Sequence, residues 1–192
     1  VYELWFKLLL HEGDKVARDF AAGDLWGAVA TLKRMRTVMK TLVGQLDILE
    51  TMTPLSFASF RDRLETASGF QSTQFRELEF LLGYKRAQFS TPVPADDPGH
   101  AAIRARFEAP SLVDHFYRFL QGKGVEVPEA LLTRDVTLPV EPSETLQDAL
   151  LEVYRTQPDM VALFELMMDF DEGLQEWRYR HVKLVERNIG AK

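Results

Sequence analysis

The stretch Pro158-Asp-Met-Val-Ala-Leu-Phe-Glu-Leu-Met-Met-Asp-Phe170-Asp-Glu-Gly-Leu174-Gln-Glu-Trp177-Arg-Tyr-Arg-His181-Val-Lys-Leu184-Val185-Glu-Arg-Asn188 reads as one long helix. Pro158 suits the first helical position, where the missing N–H costs nothing. Phe170, Leu174, Trp177, His181, Leu184 and Val185 then recur at three- and four-residue spacing, which lines them along one face. A helix of that length needs long partners, and the chain supplies them. Asp24 can N-cap a segment in which Leu25, Val29, Leu32, Met35, Met39, Leu42, Leu46 and Leu49 repeat the same spacing up to about Met52.

The rest of the chain follows suit. Leu4, Trp5, Leu8 and Leu9 form a stripe near the start. Thr53-Pro54 opens a helix expected to run to Ala67, broken at Ser68-Gly69. Another spans about Gln71 to Leu82 and ends at Gly83. Shorter helices are expected at His100–Phe107 and Ser111–Gln121, and Pro142-Ser143-Glu144 opens one to about Thr156. Phe89–Gly99 reads as a loop and Gly122–Pro142 as irregular. The only strand candidate, Val136–Val140, carries a proline in its interior. The expected fold class is all-α, a long-helix bundle forming a single domain over residues 1–192.

Composition narrows the function. Of 192 residues, 46% are hydrophobic and 27% charged, and the mean hydropathy is -0.17, the balance of a globular chain. No apolar run approaches the roughly 20 residues of a membrane span. A net charge of -6 and a pI near 5.3 argue against a nucleic-acid or anionic-membrane surface. With no cysteine, disulfides, thiolate catalysis and iron–sulfur clusters are excluded, and a cytoplasmic location is expected. The start at Val1 inside a helical pattern and the stop at Gly190-Ala191-Lys192 lead us to expect the interior of a longer polypeptide.

Four histidines remain: His11, His100, His115 and His181. There is no HExxH and no Gly-rich phosphate loop. A cofactor needing a single protein ligand is still allowed, and haem is the main case. His181, on an apolar helix face and flanked by Arg178, Arg180 and Lys183, is the best candidate. The alternative is a core histidine satisfied by a hydrogen bond to a neighbouring element. A second constellation is Phe57, Arg61, Leu64 and Ser68, which share one face of a continuous helix. An arginine between an aromatic and an aliphatic side chain suits bidentate capture of a carboxylate. It equally suits a surface arginine lying over apolar neighbours.

Three blocks carry a resemblance. They are Tyr2-Glu-Leu-Trp-Phe-Lys7-x-x-x-His11-Glu12, then Phe57-x-x-Phe-Arg61-x-x-Leu64-x-x-x-Ser68-Gly-Phe-Gln-Ser72-x-Gln-Phe75-Arg76-x-x-Glu79, and Trp177-Arg178-Tyr-Arg-His181-Val182-x-x-Val185-x-Arg187-x-Ile189-Gly190. In this order they resemble the tryptophan 2,3-dioxygenase family. The region from about Gly83 to Ser143 matches no motif.

The resemblance implies an all-helical homotetramer with one haem b per subunit, converting L-tryptophan and O2 to N-formyl-L-kynurenine, the first step of tryptophan catabolism. It makes His181 the proximal iron ligand and Arg61 the group that grips the substrate carboxylate. It places Phe57 in the pocket wall and Leu64, Ser68 and Phe75 at haem- or indole-pocket positions. The family's distal histidine would precede Val1, and its Gly-Thr-Gly-Gly loop would follow Lys192, so no catalytic base is expected within this stretch. The competing readings are a haem indole oxygenase of broader substrate choice and a non-catalytic helical interaction protein.

Overall fold

The computed structural model describes residues 1–64, 72–87 and 98–190. Along the chain these form α1 (Tyr2–Ala21), α2 (Leu25–Glu50), α3 (Pro54–Arg61), a 3-10 turn (Asp62–Leu64), α4 (Thr73–Leu81), α5 (Pro98–Glu108), α6 (Leu112–Gly122), α7 (Glu129–Leu132), α8 (Glu144–Thr156) and α9 (Pro158–Ile189). No strand occurs among the described residues, and none of their helices is long and apolar enough to cross a membrane.

Local chemistry starts most of these helices. Asp24 accepts from the Gly27 N–H at 2.9 Å, Thr53 from Ser56 at 3.2 Å, Ser72 from Phe75 at 3.1 Å and Ser143 from Leu146 at 3.3 Å. Each bond satisfies one of the donors that a helix leaves open at its first turn. Ser111 and Asp114 form a reciprocal capping box at α6. After α4, Gly83 takes φ +100, a backbone state that side-chain-bearing residues avoid, and the chain turns there.

Packing is organised around two long helices, α2 and α9, which run side by side in the same direction: Arg36 meets Asp169, and Glu50 meets Arg180 further along both. α9 lies along α2, α2 along α1, and α1 in turn carries α4 and α6, while α5 packs on α4 and α8 on α9. The α2 stripe is buried as its spacing predicts: Val29, Leu32, Met35, Met39, Leu42 and Leu46 are all core residues. On α9 Leu163, Phe170, Leu174, Trp177 and Leu184 are buried in the same core. Gly173 permits the close approach, since a Cβ there would stand 2.8 Å from Met39 Cγ. Ion pairs hold the register at both ends. Arg36 lies 3.2 Å from Asp169, and Arg180 donates to Asp47 at 2.5 Å and to Glu50 at 2.8 Å.

Four expectations are corrected. The buried face of α1 is Phe6, Leu9, Leu10, Gly13, Val16 and Phe20, not the stripe starting at Leu4, which is 72% exposed. Two apolar faces one residue apart compete on this helix, and α2 and α4 select the second. Leu9 and Leu10 are consequently covered within the chain. The helix from Pro54 does not run on as α-helix to Ala67: it ends at Arg61 and tightens into the 3-10 turn. Residues 65–67 lie outside the described part. Pro98 and Gly99, expected at the end of the Phe89–Gly99 loop, already belong to α5, and residues 89–97 of that stretch lie outside the described part. In the Gly122–Pro142 region, Gly122 still belongs to α6 and Glu129–Leu132 form the single turn of α7; the rest is irregular.

Candidate active site

α1, α4 and α9 meet in an aromatic cluster. Phe6 on α1 is spaced one turn from Tyr2, and both rings face Trp177 of α9, at 5.4 Å and 5.7 Å between centroids. Phe75 of α4 closes the third side, 5.2 Å from Phe6 and 5.0 Å from Trp177. The start of α4 is fixed for this purpose. Ser72, its N-cap, donates to Glu3 of α1 at 2.5 Å, and Gln74 donates to the same carboxylate at 2.8 Å. The cluster buries Phe6 and Trp177 almost completely, a large gain in apolar contact for few residues.

His181 lies one turn beyond Trp177 and stacks on it, with centroids 4.9 Å apart and planes 15° apart. Its Nδ1 is buried and has no hydrogen-bond partner. Burial alone holds its pKa below the ordinary histidine value, so the ring is a neutral imidazole at physiological pH. The alternative of a core histidine satisfied by a neighbouring element is therefore not what this site holds: the described residues offer the ring no hydrogen bond. A half-buried imidazole that is neutral and unpartnered, beside a flat aromatic wall, has the donor chemistry that a haem iron ligand requires. The residues present fit the group.

The basic residues around His181 have other partners. Arg178 sits 3.3 Å from the Glu79 carboxylate and over the Tyr84 ring at 5.5 Å. Arg180 is held by α2 as described above, and Lys183 donates to Glu186 at 2.7 Å. The pairs of Arg178 and Arg180 bind α9 to α4 and α2, while that of Lys183 stays within α9.

The second constellation is arranged differently from the continuous face expected for it. Phe57 and Arg61 are one turn apart on α3, with the guanidinium 5.5 Å from the ring centroid. Phe60 packs on Phe57 at 5.4 Å. Leu64 falls in the 3-10 turn, where three residues rather than 3.6 make a turn, so it leaves the α3 face. It is 38% exposed. Ser68 lies outside the described residues. No residue of α3 is buried, Arg61 is exposed, and it forms no ion pair with the described residues. α3 packs against α9, the helix that carries His181. The structure thus unites Phe75 with the His181–Trp177 pair and leaves Phe57 and Arg61 on a neighbouring, open element. Tyr2 and Phe6 complete the cluster without having been singled out from the sequence. Their i, i+4 aromatic spacing was the available signal.

Comparison with known proteins places the chain in a family. A family model described as tryptophan 2,3-dioxygenase matches residues 1–121. The tryptophan 2,3-dioxygenase of Herpetosiphon aurantiacus is 49% identical over 192 residues, covering the whole of this chain and 74% of that protein. The enzyme of the same name from Anaeromyxobacter dehalogenans is 50% identical over 192 residues, covering 72% of its length. That of Bacillus cereus is 38% identical over 193 residues, covering 69%. With an aromatic-walled, unpartnered imidazole on α9 and relatives at this identity along its whole length, the chain belongs to the tryptophan 2,3-dioxygenase family.

Proposed function

We propose that this protein is a haem-dependent dioxygenase that converts L-tryptophan and O2 to N-formyl-L-kynurenine, opening the kynurenine route of tryptophan catabolism. The observation that carries the reading is His181: a half-buried, neutral imidazole stacked on Trp177, its buried Nδ1 without a protein partner. His181 would hold the iron of haem b, and Phe75, through its contact with Trp177, would help wall the cofactor pocket. When bound, haem supplies the O2 activation that a closed-shell indole cannot achieve alone.

The remaining roles fall to side chains. Arg61, unpaired and backed by Phe57, would take the substrate carboxylate through its planar fork. Fixing that end of an amino acid orients its indole, and positioning of this kind contributes about 7–11 kcal/mol when geometry is near-attack. Phe57 would face the apolar ring. Leu64 and Ser68 would line the same pocket.

We also propose a homotetramer within one cytoplasmic compartment. Leu9 and Leu10 of α1 are covered within the chain and offer no surface for that assembly. A better candidate is the apolar groove of about 670 Å³ between α6, α8 and α9, lined by Phe116, Leu150, Leu151, Tyr154, Phe164 and Met168. An uncovered patch of that kind marks an interaction surface more often than bulk solvent exposure. The whole domain, residues 1–192, would act as one unit.

The test is haem titration of the purified protein followed by its visible spectrum, with product formation from L-tryptophan measured alongside. A Soret band at one haem per chain, absent in His181→Ala, is the expected result. Full haem occupancy with an unchanged spectrum in that variant would overturn the assignment.

A further inference from the structure

We propose that Glu79 is a positioning residue for His181. It holds α9, through Arg178, at the rotation that lays Trp177 and the imidazole against the α1–α4 cluster. The proposal rests on reading His181 as the iron ligand.

Glu79 is 1% exposed, and a carboxylate so deeply buried demands cationic partners. It has three. Arg76 donates to Oε2, Arg86 donates to Oε1 at 2.9 Å, and Arg178 lies 3.3 Å from Oε1. Arg76 is one turn back on the same helix and Arg86 lies just past its end, so these two local groups already neutralise the charge. Arg178 alone comes from a distant element. Its engagement therefore adds little to balancing Glu79 and much to locating α9.

The location it sets is the one that matters for His181. Arg178 directly follows Trp177 and precedes His181 by three residues, so all three lie within one turn and a little more of α9. On the opposing helix, Phe75 precedes Glu79 by four residues. α4 thus presents one stripe bearing a ring for Trp177 and a carboxylate for Arg178. Tyr84 extends the grip: its hydroxyl donates to Asp171 at 2.5 Å and accepts from Gln175 at 2.6 Å, and Arg178 lies over its ring. A rotation of α9 by one residue, about 100°, would break every one of these contacts together.

The ring itself cannot supply this control. A metal-binding histidine is usually aimed by a hydrogen bond from its second nitrogen to a carboxylate or carbonyl. Here Nδ1 has no such partner. The aim of the imidazole is left to the stack on Trp177, and hence to whatever holds that part of the helix.

The experiment is resonance Raman spectroscopy of the ferrous haem-loaded protein, reading the iron–histidine stretching band. Glu79→Gln should shift or split the band and weaken haem affinity about 10- to 100-fold, the usual effect of losing an outer-shell partner. Arg178→Gln should move the band in the same direction. It also serves if Glu79→Gln fails to fold, because Arg178 reaches the surface. Glu79→Asp, with the charge kept, should return part of the wild-type signal. Asp114→Asn is the control: it removes an equally buried, arginine-paired carboxylate from α6 and should leave the band in place. A band unmoved by both Glu79→Gln and Arg178→Gln, or moved equally by Asp114→Asn, would overturn the proposal. Wild-type protein that binds haem without any iron–histidine band would instead overturn the assignment of His181 as ligand.

Discussion

Trp177 lies flat on His181, with ring planes 15° apart and centroids at 4.9 Å, while Phe6 meets the same indole edge-on at 87°. The indole is thus a rigid spacer between the core of the protein and the imidazole. Its loss should be felt on both sides. Trp177→Ala is expected to destabilise the fold by about 3–5 kcal/mol, as for other buried aromatic truncations. Trp177→Phe should cost less and still disturb haem binding. Chemical denaturation of the haem-free protein, paired with haem titration, checks both effects.

His181 should behave in the opposite way. Its Nδ1 is a buried polar atom without a partner, a feature that typically costs about 1–3 kcal/mol. His181→Leu should therefore leave the haem-free protein as stable as the wild type or more so, while abolishing axial ligation. A clear loss of stability in the haem-free variant would show that the imidazole is structural.

Arg61 offers a third separation of stability from function. It is exposed, so Arg61→Ala should alter folding stability by no more than about 0.5 kcal/mol. If it grips the substrate carboxylate, the same change should cost about 3 kcal/mol or more in transition-state binding, at least roughly 100-fold in kcat/KM for tryptophan. Arg61→Lys should recover little, because a point charge does not reproduce the fork. The penalty for tryptamine, which lacks the carboxylate, should be far smaller. Equal penalties for the two substrates would remove Arg61 from the binding site.

Lys85 gives a purely structural prediction. It is 1% exposed, and its ammonium donates to the carbonyls of Arg106, Phe107 and Ala109 at 2.7–2.8 Å. One buried cation thereby closes the open end of α5 from the segment following α4. Lys85→Met keeps the volume but leaves these acceptors bare, at about 1–3 kcal/mol for each unsatisfied group. The expected result is a loss of at least about 3 kcal/mol in equilibrium unfolding, with faster amide exchange in α5. An unchanged exchange pattern there would contradict it.

How much of this was legible beforehand divides along a physical line. The sequence by itself determined what depends on neighbours within a few residues. The caps at Asp24, Thr53 and Ser143, the stripes of α2 and α9, and the helical class all follow from contacts within about one turn, so they could be read directly. His181 and Arg61 were legible as candidates for the same reason: each stands out against its own helix face. Only the tertiary structure decided which of two adjacent faces α1 buries, because Leu4 and Phe6 are equally apolar and the choice belongs to the helices that cover them. It also decided that α3 stops at Arg61, which separates Leu64 from the face shared by Phe57 and Arg61. The convergence of Phe6, Phe75 and Trp177 joins three helices far apart in sequence, as does that of Glu79 with Arg178. No local pattern encodes such meetings, because their geometry is set by how whole helices pack, and it is this packing that leaves an apolar-face histidine stacked on Trp177 with its Nδ1 unpartnered.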